Sequence, residues 1–136
     1  HSLGLGPYLV TQGLARKLSR TAIVPGRDTI LVRGEGYVDV ARTSTLWNEV
    51  FQAPASIIEK DGWPDQASAS IPILYVQMGF MLYDVFTGVG RRGDANRTLA
   101  QTEAMARATR VDRMFGLGAP STSTPGDSAA RVPVPK

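Results

Sequence analysis

Apolar residues recur with different periods along this chain. Between Pro7 and Arg20, Val10, Leu14 and Leu18 fall every fourth residue, with Arg16, Lys17 and Arg20 elsewhere on the circumference. That spacing predicts an amphipathic helix with Pro7 in its first turn and Gly13 as its weak point. Pro25-Gly26 ends the segment. Thr29–Val32 and Tyr37–Val40 are short β-prone runs separated by Gly34-Glu35-Gly36, the pattern of a small hairpin. Ser44 or Thr45 caps a short helix reaching Phe51; Pro54 interrupts it and Ala55–Lys60 resumes. Asp61-Gly62-Trp63-Pro64 reads as a turn, followed by a polar linker over 66–70.

The most distinctive segment is Ile71–Val89, IPILYVQMGFMLYDVFTGV, with Ser70 as N-cap and Pro72 in the first turn. As a helix it spans about 29 Å, close to the hydrocarbon thickness of a bilayer. Gln77 and Asp84 are seven residues apart on one edge, which Gly88 and Arg91 continue. Two main settings fit this pattern, with a partly interfacial segment as a third. One is a transmembrane helix packed by its polar edge against other helices. The other is the central helix of a soluble bundle with one satisfied buried Asp. If the segment spans a membrane, Arg91 and Arg92 mark the cytoplasm-like or matrix-like side. Gly79–Val85 (GFMLYDV) resembles a stretch of the TLC-type lipid-related membrane domains over seven residues. Those domains have several spans and this chain one candidate, so no activity and no residue role is carried over.

After Gly90-Arg91-Arg92-Gly93, Asp94 caps a last predicted helix, Ala95–Phe115. Ala100, Ala104, Ala108, Val111 and Phe115 form one stripe of it, and Arg107, Arg110 and Arg113 form a basic one. Glu103 precedes Arg107 by four residues, the favourable order for a helical ion pair. The expected fold is mostly α with a small β-hairpin, one long apolar helix and extended termini. It divides into a basic amphipathic segment 1–27, an acidic hairpin and short-helix region 28–70, a helical part 71–118, and a Pro/Ser/Thr-rich tail 119–136. The tail's composition predicts disorder in isolation and order against a partner. A chain that begins at His1 rather than Met is read as a processed or truncated product.

A length of 136 residues bounds one domain, and 43% apolar with 7% aromatic residues gives it a thin aliphatic core. The net charge of +3 is unevenly spread. Residues 1–27 carry four basic groups and no acid, whereas 28–70 hold seven acids against three bases. Basic ends around an acidic middle suit contact with an acidic partner or surface.

There is no cysteine, and the single histidine is terminal. Thiolate chemistry, Cys-based metal sites and a packed Ser-His-Asp relay therefore lack their residues. Glu59, Asp61 and Asp65 do not match an EF-hand loop. Gly4-Leu5-Gly6 and Gly34-Glu35-Gly36 lack the third glycine of a dinucleotide loop, and no lysine follows a phosphate-binding glycine loop. Arg92-Gly93-Asp94 and Asn96-Arg97-Thr98 spell an adhesive tripeptide and a glycosylation sequon, but both are accounted for by the helix start. No enzyme activity, cofactor or metal is expected.

The leading expectation is a structural or accessory subunit of a multiprotein membrane complex, such as a supernumerary subunit of a respiratory or ATP-synthase assembly in the mitochondrial inner membrane. Gln77 and Asp84 are its expected buried contacts with other subunits, Arg91 and Arg92 its interface anchor, and lipid a further partner. One alternative is a structural component of a virion or phage tail or neck. Another is a small basic RNA-associated subunit, such as a ribosomal one, using Arg107, Arg110 and Arg113. No aromatic residues interleave with those arginines to stack bases, which counts against nucleic acid.

Overall fold

The computed structural model describes residues 4–65 and 67–118. His1 and the tail 119–136 lie outside them, as do the expectations for extended termini at those positions. Among the described residues the architecture is α+β: four helices and a four-stranded mixed sheet. This corrects the expectation of a mostly α fold with a small hairpin.

The correction originates in residues 7–20. The sequence spacing reads as helical, yet the segment forms β1 (Leu9–Gln12) and β2 (Ala15–Leu18), an antiparallel hairpin closed by the pair Gln12 and Ala15. Gly13, at φ 60°, and Leu14 make the two-residue turn. Glycine at the first central position is the residue order of a type II′ hairpin, whose twist matches the strands. Gly13 also lacks room for a side chain, since a Cβ there would lie 2.9 Å from both Leu46 Cδ1 and Phe51 Cζ.

The second hairpin follows the sequence pattern. Strands β3 (Thr29–Val32) and β4 (Gly36–Asp39) pair antiparallel through a loop of Arg33, Gly34 and Glu35. The two hairpins join by parallel pairing of β1 with β4, Val10 opposite Tyr37 and Thr11 opposite Val38. The sheet order is therefore β2-β1-β4-β3, with β2 and β3 as edges.

Asp39 ends β4 and starts the helical part. Its carboxylate accepts from the Arg42 backbone N–H at 2.9 Å, capping α1 (Val40–Thr45), and from the Gln12 amide at 3.0 Å. Thr43, fully buried, pins α1 to the first hairpin: its hydroxyl accepts from the Gly13 N–H at 3.1 Å. A π-helical turn, Leu46–Val50, then carries Trp47 into the core, where its indole N–H donates to Gln101 at 2.9 Å. The short α2 (Ala53–Glu59) buries Pro54 and Ile57.

Helix α3 (Ser70–Gly88) occupies the expected long segment and packs against α4 (Arg92–Ala108). Val76, Leu82, Val85 and Phe86 of α3 are at most 2% exposed and share one core with Val38, Trp47, Met105 and Ala106. Gly79 lets the helices approach, because a Cβ there would run into the Thr102 side chain. Between them Gly90, at φ 77°, carries a Schellman closure: Arg91 N–H donates to Phe86 and Gly90 N–H to Thr87.

The last helix is shorter than the predicted Ala95–Phe115. It stops at Ala108 with the same closure, Val111 N–H donating to Ala106 and Arg110 N–H to Arg107. Here the left-handed position is held by Arg110 at φ 62°, where glycine is usual. A 3-10 turn, Asp112–Phe115, brings Phe115 onto Phe80 with ring centroids 5.6 Å apart.

Candidate binding groove

The inner face of the sheet carries Thr11, Val38, Ile30 and Val32 in adjacent rows, as the strand registers dictate. Helix α1 lies against β1, β3 and β4. Toward β2 a groove of about 700 Å³ remains between the sheet and α3. One wall is the first hairpin, with Thr11, Gly13, Leu14, Ala15 and Arg16. The opposite wall is a single stripe of α3: Leu74, Gln77, Met78, Met81 and Asp84. Those positions share a face because they step by three or four residues. From Leu74 to Asp84 the wall runs about 15 Å at 1.5 Å per residue. Val32, Arg33 and Glu35 close one side, and Phe80 and Phe115 contribute apolar surface.

The groove combines an apolar floor with unpaired polar groups. Met78 and Met81 are buried side chains whose flexible thioethers adapt to the shape of an apolar neighbour. Leu14 and Leu74 are exposed, Leu74 by 52%. The Arg16 guanidinium reaches beneath β1 to Glu35 at 3.4 Å, a loose and exposed pair. Among the described residues neither Arg33 nor Asp84 has an ion-pair partner. Thr11 is only 7% exposed, and its hydroxyl is the one buried side-chain polar atom without a hydrogen-bond partner among the described residues. A buried hydroxyl left in this way costs about 1–3 kcal/mol.

Gln77 and Asp84, expected as buried partner contacts, are exposed in this chain and stand together on the groove wall. Arg91 lies 4.7 Å from the centre of the Phe86 ring and donates to Asp94 at 2.7 Å, while Arg92 is exposed at the start of α4. Arg107 pairs with Glu103 at 2.8 Å, as the i,i+4 spacing anticipates. Arg110 and Arg113 follow the end of α4, so these three arginines do not share one helix face. Asp94 and Asp65 have carboxyls held below the ordinary value. Hydrogen bonds from Arg97 and then Arg91 do this for Asp94, and bonds from the Ser68 hydroxyl and the Ala67 N–H for Asp65. Both lie away from the groove.

Among the described residues no three His, Cys, Asp or Glu side chains gather as metal ligands. A second hollow, about 260 Å³, lies beside α2, lined by Ile57, Lys60, Trp63 and Pro64 among others. Sequence reasoning missed the hairpin wall of the main groove. The available signal was the Gly13-Leu14 pair, with glycine first as a two-residue type II′ hairpin turn favours. Compared with known proteins, the chain matches no family model, no curated protein and no solved structure.

Proposed function

We propose that this chain is a non-catalytic docking component of a multiprotein assembly, and that a neighbouring protein occupies the groove between the first hairpin and α3. The observation that carries this reading is the groove itself. An apolar floor of Met78, Met81 and Phe115 is flanked by exposed Leu14 and Leu74 and by the unpaired charges of Arg33 and Asp84. A covering protein would remove the apolar surface from water and supply partners for the charges. The absence of cysteine and of any non-terminal histidine from the sequence supports a binding role over a catalytic one.

The test is the sedimentation of the native assembly containing either Leu74→Glu or Ala100→Glu, the latter on the exposed face of α4. The reading expects Leu74→Glu to shift the chain to the free pool and Ala100→Glu to leave it assembled. Equal behaviour of the two would contradict it.

A membrane-embedded version of the same role has α3 as its span. Its 19 residues are long and apolar enough, and 44% of its most apolar window is buried within the chain. Against this version stands α4, which accompanies α3 and exposes Arg97 and Arg107. Charged side chains at that depth are costly unless they meet water. We therefore favour α3 as a core helix. Alkaline carbonate extraction of native membranes tests the point: release into the supernatant is expected, and retention in the pellet would favour the span.

A further inference from the structure

We infer that the occupant of the groove is an extended segment of another protein, apolar and acidic at alternate positions, which adds as a fifth strand to the free edge of β2. This inference rests on the docking reading and specifies its partner. Three observations converge on it. The first is the edge. Among the described residues β2 pairs with β1 alone, and all four of its residues are exposed. In a hairpin closed by Gln12 and Ala15, hydrogen-bonded pairs alternate with non-bonded ones along the strands. The Ser19 N–H donating to Tyr8 at 2.7 Å continues that alternation. Arg16 and Leu18 therefore direct their N–H and C=O groups outward, toward the free edge. Two unpaired residues of backbone are the template that strand addition uses.

The second observation is where the groove lies. It opens beneath this same edge, with Leu14, Ala15 and Arg16 on its wall. A strand added to β2 turns every second side chain inward, over Leu74, Met78 and Met81, and the others outward. The 15 Å wall accommodates about four or five extended residues, or two to three inward side chains. The inward positions over Leu74, Met78 and Met81 meet apolar surface, with the groove's charges, Arg16, Arg33 and Asp84, at its margins.

The third observation is charge. Lys17 stands on the outer face, opposite Val10, and residues 1–27 carry no acid. Outward acidic residues on the partner would therefore pair with Lys17. A second copy of β2 is disfavoured, because it would bring Arg16 and Lys17 against their own counterparts.

The experiment titrates the full-length, isotope-labelled chain with a capped eight-residue peptide of alternating Val and Glu, followed by amide hydrogen exchange. Binding is expected to protect the Arg16 and Leu18 amides and to shift the Met78 and Met81 methyl signals. The same peptide with Lys in place of Glu should bind more weakly, by up to about fivefold per cross-strand charge pair. Lys17→Glu should reverse the preference. Leu74→Glu, at an exposed position, should abolish binding by the Val/Glu peptide without unfolding the chain.

Methyl shifts without protection of Arg16 and Leu18 would mean that a helix or side-chain ligand fills the groove, and would overturn strand addition while leaving the docking reading intact. Failure of the peptide to bind would also overturn strand addition. Docking as such falls only if Leu74→Glu and Ala100→Glu assemble alike.

Discussion

Replacing Gly79 by Ala should destabilise the protein, the opposite of what helix propensity alone anticipates. In an exposed helix interior, Ala is favoured over Gly by about 0.8–1.0 kcal/mol. At position 79 the added methyl runs into the Thr102 hydroxyl, and the Thr102 Cβ and Cγ2 would each lie 2.9 Å away. Thr102 cannot swing aside freely. It is fully buried, and its hydroxyl donates to the Thr98 carbonyl at 2.7 Å. The helices must therefore move apart, and overpacking of this kind costs about 1–3 kcal/mol. Because α3 carries Val76, Leu82, Val85 and Phe86 into the shared core, a shift of α3 away from α4 is felt throughout it. Subtracting the propensity gain leaves a net loss of about 0–2 kcal/mol.

Urea denaturation followed by far-UV circular dichroism measures it as a lowered midpoint at unchanged slope. Thr102→Ala removes the hydroxyl and Cγ2, so in the Gly79→Ala background it should recover part of the loss. A Gly79→Ala protein stabilised by about 1 kcal/mol, as at an open helical site, would refute the close α3–α4 approach on which the core depends.

Thr11→Val should raise stability by about 1–3 kcal/mol, because it removes a buried hydroxyl without a partner; an unchanged or lowered thermal midpoint would show that the hydroxyl is satisfied. Arg110→Gly should raise stability by about 1 kcal/mol by relieving a left-handed backbone at φ 62°, read by the same denaturation. The Asp94 carboxyl is held below its ordinary value of 3.8 in the folded chain by Arg97 and Arg91. Its contribution to stability is thus present above the ordinary value and lost as pH falls through the lowered one. The stability gap between the parent and Asp94→Asn should accordingly be constant from pH 7 to pH 5 and close on further acidification; a gap that widens toward acid would contradict this sign.

The parts of the fold that were legible share one property: local pattern and tertiary role agree. The Thr29–Asp39 hairpin announces itself through β-prone residues around glycine. The long α3 shows through its length, with Gly90 supplying the stop. Elsewhere, the sequence admits two readings that only packing separates. Val10, Leu14 and Leu18 lie four apart, a spacing shared by one face of a helix and, as a multiple of two, by a strand. Burial of Gly13 against Leu46 and Phe51 selects the hairpin. The end of α4 was hidden because Arg110, rather than glycine, takes the left-handed position, with Val111 buried behind it. The groove is legible only in part. Gln77 and Asp84 emerge as a polar edge of α3, but their counterparts come from a hairpin some sixty residues earlier, and no local spacing connects the two.

The most direct test of the central claim is photo-crosslinking in the native assembly, with a photoreactive residue at position 74 in the groove, at position 18 on the β2 edge, and at position 100 on α4. The account predicts that positions 74 and 18 capture the same segment of a single partner, acidic and apolar in alternation, and that position 100 captures none of it. Capture from position 100 alone, or of unrelated proteins from positions 74 and 18, would contradict it.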